Sequence, residues 1–75
     1  MKSPAYINAV NELYHWLGHE MKATNFHSLL YHLITHADPG NRHRIALAFP
    51  NEVQAWNDWQ KSDDQENFFK EYGLP

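Results

Sequence analysis

No cysteine occurs in the 75-residue chain. That excludes disulfides, thiol catalysis and every zinc site built on thiolates. Glycine is scarce, with three residues, and nothing forms a glycine-rich phosphate loop. The serines are Ser3, Ser28 and Ser62, and two of them read as helix caps, so nucleophilic catalysis has no support. Positive charge is the minority sign: six Lys and Arg stand against nine Asp and Glu, for a net charge of -3 with histidine neutral. Such a surface does not in general attract a phosphate backbone. No apolar run approaches the ~20 residues that cross a bilayer. The start, Met1-Lys2-Ser3-Pro4-Ala5-Tyr6, lacks the apolar core of a signal peptide. No alternating apolar run is bounded by turns, so no strand is predicted. These absences point to a soluble protein in a reducing cytoplasm.

Large rings are what the chain has in quantity: three Trp, four Tyr and four Phe. A domain of this length buries only about 60% of the surface its unfolded chain exposes. Aromatics that bury about 150–250 Å² each offset that thin margin. They favour an ordered core despite a mean hydropathy of -0.71.

Proline and capping residues punctuate the chain into helices. Ser3-Pro4 starts the first, with Tyr6, Val10, Leu13, Leu17 and Met21 as its apolar stripe. It is predicted to run from Pro4 to about Met21, fraying after Gly18. Thr24 or Asn25 caps a second helix whose core face is read as Phe26, Leu29, Leu30, Leu33, Ile34 and Ala37, with His32 and Thr35 away from it. Asp38-Pro39 starts a third, ending near Ala48 and burying Ile45, with Leu47 as a further candidate. Pro50 starts a fourth, ending near Lys61, with Val53, Trp56 and Trp59 on one side. Phe49, at the junction, is expected to staple onto Val53 or Trp56. Ser62-Asp63-Asp64-Gln65 reads as a capping box for a short last helix carrying Phe68, Phe69 and Tyr72 and closed by Gly73. The fold class is therefore all-α: a compact single domain of about four to five short helices.

Histidine is the most obvious candidate for chemistry. Two pairs, His15/His19 and His32/His36, have the i,i+4 spacing that places two imidazoles on one helix face. The metalloprotease pattern fails in both, because Trp16 and Leu33 stand where glutamate is required. His15 and His19 share their face with Asn8 and Glu12, which reads as a solvated surface. His32 and His36 flank a core face. Surface and boundary histidines are the simpler reading, so no metal site and no cofactor are assigned and no metal dependence is expected.

Three other clusters carry candidate chemistry. Arg42-His43-Arg44 is the densest basic spot. It is too narrow to argue for nucleic acid, although a small nucleic-acid-associated regulator is the alternative it would serve. Asp63, Asp64 and Glu66 suit a helix start; imitation of nucleic-acid charge is the less economical explanation. Trp56, Trp59, Phe68, Phe69 and Tyr72 crowd the C-terminal third. Exposed rings of this kind make binding hot spots. The candidate binding site is accordingly Trp56, Trp59 and Tyr72, with Arg42 or Arg44 at its rim.

The motif residues Leu29-Leu30, Ala37-Asp38-Pro39, Asn41-Arg42 and Ala48-Phe49-Pro50-x-Glu52-Val53-x-x-Trp56-x-x-Trp59 carry a likeness. Over Phe26 to Trp59 the chain resembles a family of small, uncharacterised helical proteins encoded by bacteriophages and prophages. The resemblance implies a bacterial cytoplasm during phage growth and a bacterial or phage protein as partner. It brings no catalytic residues, and it leaves out the Tyr6–Met21 helix. The function expected from all of this is a non-enzymatic protein-interaction module; a histidine-based metal protein is the third possibility.

Overall fold

Ser3 caps the first helix with its side chain, accepting the Tyr6 N–H at 3.1 Å, and Pro4 occupies the first turn, where no intrahelical donor is needed. The computed structural model describes residues 3–75, and every regular element among them is helical. They are α1 (Pro4–Leu17), α2 (Phe26–His36), α3 (Pro39–Ala48), α4 (Pro50–Lys61) and α5 (Gln65–Phe68), followed by a 3₁₀ turn over Phe69–Tyr72. The all-α expectation holds.

Most helix starts fall where the sequence places them. Asn25 caps α2 through the His27 N–H at 2.9 Å. Asp38 caps α3 through the Asn41 N–H at 2.7 Å. α4 occupies the predicted span. The last start differs: Asp64, not Ser62, caps α5, accepting the Asn67 N–H at 3.1 Å. The Ser62 hydroxyl bonds the backbone N–H and C=O of Asp64 instead, which orients that cap. Gly73 closes the chain's last turn at φ 77, the left-handed conformation glycine adopts without steric cost.

α1 ends at Leu17, a turn earlier than predicted. The left-handed residue that reverses the chain is His19, at φ 58, while Gly18 keeps an ordinary φ of -82. Backbone bonds from Glu20 N to His15 O and from His19 N to Trp16 O close the terminus.

The core gathers Tyr6, Ala9, Val10 and Leu13 of α1, Leu30, Tyr31 and Ile34 of α2, Val53, Ala55 and Trp56 of α4, and Phe68 and Phe69 at the end. α1 packs chiefly along α4, with α2 and the 3₁₀ turn on its flanks, while α3 rests on α4. The N-terminal Tyr6 hydroxyl donates to Asp58 at 2.6 Å, and Gln54 holds the other oxygen of that carboxylate.

The α2 face needs correction. Leu30 and Ile34 are buried as predicted, but Phe26, Leu29 and Leu33 are 57%, 55% and 54% exposed. The helix is rotated so that Tyr31 enters the core. Its hydroxyl donates to Ala9 O at 2.7 Å and its ring stacks on Trp16. Leu47, a candidate for burial on α3, is 78% exposed, and Phe49 packs its ring toward Phe26 at 5.7 Å. Ile45 is half-buried.

Leu30→Ala is expected to cost about 2–5 kcal/mol in urea melts, through the transfer and cavity terms of a core leucine. Leu33→Ala on the same helix is expected to stay within about 0.5 kcal/mol, as for exposed positions. Equal costs would contradict the rotated face.

Tyr6 and Tyr31 add a pH dependence. Burial, above all, pushes both phenols well above their ordinary value of 10.0, and the Asp58 hydrogen bond adds to the push on Tyr6. Above that value the unfolded chain releases protons that the folded chain keeps. Their contribution is therefore complete below pH 10 and is lost as pH rises beyond it. Tyr6→Phe should reduce the alkaline slope of unfolding free energy by about 1.4 kcal/mol per pH unit, one proton's worth. Melts between about pH 10 and 11 read this directly.

Candidate functional site

Of the expected binding set, the structure brings Trp56 and Arg42 together, and it does so inside the fold. Trp56 is 7% exposed. Its indole N–H donates to Thr35 Oγ1 at 3.1 Å, and that hydroxyl donates to Tyr31 O at 2.8 Å. The Arg42 guanidinium lies 4.3 Å from the Trp56 ring centroid, a cation–π geometry. The same guanidinium donates to Ala37 O at 2.6 Å and to Ile34 O at 3.3 Å. Those carbonyls belong to the end of α2, where the macrodipole favours a cation. Arg42 is thus a cap shared between helices, and the basic run keeps His43 and Arg44 exposed.

The remaining members sit apart. Trp59 is half-buried and lines a groove with Tyr14, Leu17, Phe69 and Lys70. Tyr72 is half-buried between the rings of Tyr6 and Phe68, at 6.1 and 5.6 Å. These five residues do not meet in one exposed patch.

An exposed apolar face lies elsewhere, on α2. Phe26, Leu29 and Leu33 follow i, i+3, i+7 spacing and form a ridge along the solvent side. Beside it run two shallow depressions. One, of about 560 Å³, is lined by Trp16, Leu17, Met21, Ala23, Leu29 and His32 among others. The second, of about 390 Å³, includes Leu33, Ala37, Ile45, His36 and Arg44. Asp38 is the one carboxylate lining either depression, and its oxygens are occupied by the Asn41 backbone and side chain. An otherwise acidic chain therefore turns an apolar face, edged by imidazoles and one guanidinium, to solvent. The sequence carried this signal as a leucine-rich stripe and gave no means of deciding which leucines point outward.

The histidines divide differently from their spacing. His15 bonds Glu20 at 3.0 Å on the surface. The His32 and His36 rings lie 4.4 Å apart, and both residues are exposed. His27, which belongs to neither pair, reaches from α2 to Glu12 of α1 at 2.8 Å. Glu12 is half-buried rather than part of a solvated face, and Glu52 of α4 joins it. Burial pushes the Glu12 carboxyl above its ordinary range; Glu52 adds to the push and His27 opposes it. Glu12, His27 and Glu52 are the one set of three metal-capable side chains that the fold gathers among the described residues.

Comparison of the chain with known protein families, with curated proteins and with solved structures finds no match. No helix among the described residues is long and apolar enough to cross a membrane.

Arg42→Ala is expected to cost about 1–3 kcal/mol, through loss of the ring contact and of two charge-assisted bonds. Arg42→Lys should recover only part of this, since an ammonium lacks the planar fork. Arg44→Ala should change stability by about 0.5 kcal/mol or less. Thermal and denaturant melts of the three variants check the ranking.

Proposed function

We propose that the protein is a non-enzymatic interaction module that docks an amphipathic helix of a partner protein along the exposed face of α2. The observation that carries this reading is the Phe26–Leu29–Leu33 ridge, more than half exposed at each position. Depressions lined by Leu29 and by Leu33 suit the i, i+3, i+4, i+7 anchors of a helical ligand. The edging chemistry suits one class of partner. His32, His36 and Arg44 offer donors or positive charge and no free carboxylate competes, so the docked helix carries apolar anchors flanked by Asp or Glu. On the sequence resemblance of Phe26–Trp59 alone, the proposed partner is a bacterial or phage protein of the cytoplasm. Arg42 is committed to α2, which weakens the nucleic-acid alternative by removing one of its two guanidiniums.

The test uses Leu29→Glu/Leu33→Glu. Both positions are exposed, so circular dichroism should be unchanged and stability altered by about 1 kcal/mol at most. Bacterial lysate is passed over the immobilised wild type, this variant, and a control carrying Gln60→Glu on α4. A partner retained by wild type and control and lost by the ridge variant supports the reading, and its binding segment should be an acidic amphipathic helix. Partners retained equally by all three overturn it. Self-association in sedimentation that the ridge substitutions abolish assigns the face to a second copy instead.

A further inference from the structure

We propose that Glu12, His27 and Glu52 form a binding site for one divalent transition-metal ion of the zinc class, with a coordination position left open to solvent. The three side chains come from three different helices, α1, α2 and α4, and their ligand atoms lie within 4.8 Å of one another. Carboxylates and an imidazole converging from separate helices are the means by which helical bundles build metal centres.

The cluster holds more acceptors than donors. Two carboxylates, both half-buried, share a single imidazole. Glu12 takes that imidazole at 2.8 Å, and among the described residues the Glu52 carboxylate has no hydrogen bond or ion pair of its own. The Tyr31 hydroxyl offers them no donor, being spent on Ala9 O at 2.7 Å. A divalent ion would neutralise the pair and satisfy Glu52 in one step.

The geometry is near that of a ligated site. Ligand atoms at zinc distances stand about 3.3 Å apart in a tetrahedron, so the set closes with side-chain shifts of about an ångström. In the loaded form the His27–Glu12 hydrogen bond is replaced by two bonds to the ion. The imidazole disfavours magnesium and calcium, which take oxygen donors, and the lack of thiolate leaves a mixed nitrogen and oxygen set suited to Zn²⁺, Co²⁺ or Mn²⁺. Bound there, the ion would tie α1, α2 and α4 at one point and raise the stability of the folded form by mass action.

The test titrates the metal-free 75-residue chain with zinc chloride by calorimetry, with Co²⁺ absorption as the report on geometry. The expected result is one ion per chain and a higher melting temperature when loaded. Affinity should fall by about tenfold or more in Glu52→Gln and in His27→Gln. It should stay within about twofold in His32→Gln/His36→Gln, which removes the exposed imidazole pair. Glu52→Gln disturbs no hydrogen bond of the fold, so it decides the matter even where His27→Gln unfolds. Unchanged affinity in Glu52→Gln, loss of binding in the His32/His36 variant, or no binding by the wild type would overturn the site.

Discussion

The indole of Trp56 is held on its edge by Thr35 and on its face by Arg42, and this contact joins α2, α3 and α4. The parts depend on one another. Thr35 accepts the indole proton while its own hydroxyl is anchored to Tyr31 O. Arg42 can lie over the ring because its nitrogens are fixed by the carbonyls that end α2. The positive charge thus meets a quadrupole and a helix terminus at once. α3 has no buried residue of its own, so this arginine is a large part of what seats it.

The rotation of α2 follows from the same arrangement. Turning the helix toward Leu29 and Leu33 would bury more aliphatic surface, but it would carry Thr35 off the indole and Tyr31 out of the core. Tyr31 brings a larger ring, a stacking partner in Trp16 and a hydroxyl with a backbone acceptor waiting on α1. A tyrosine with its proton placed outcompetes two leucines for the interior. The leucines are left as an exposed ridge, and the candidate docking face is a by-product of how the core is chosen.

Local chemistry was legible in the sequence and partner choice was not. Ser3, Asn25, Asp38, Pro39 and Pro50 act within a turn of themselves, so they reveal helix starts without any tertiary knowledge. Where two local options compete, as between Ser62 and Asp64, the pattern names the motif and misses the residue that fills it. The facing of α2 could not be read, because Leu30 and Ile34 belong to both possible core faces and a stripe has no arrow. Trp56 and Arg42 looked like an interface for the reason they make a good interior contact: a ring and a guanidinium attract in either place. The joining of Glu12, His27 and Glu52 depends on how three helices cross, which no spacing along one helix encodes.

Tyr6 is bonded to Asp58, and Tyr14 reaches the Pro75 carbonyl at 3.1 Å. The first helix therefore finds its partners in the last part of the chain. During synthesis at about 5–20 residues per second, α1 emerges with its apolar side open and waits several seconds for α4 to arrive. For that interval the contacts open to α1 are those with α2, such as the Tyr31 hydroxyl on Ala9 O. The Tyr6–Asp58 bond is a clasp that can close only once α4 has been made, and a chain stopped short of α4 would leave Val10 and Leu13 uncovered for chaperones and proteases to find.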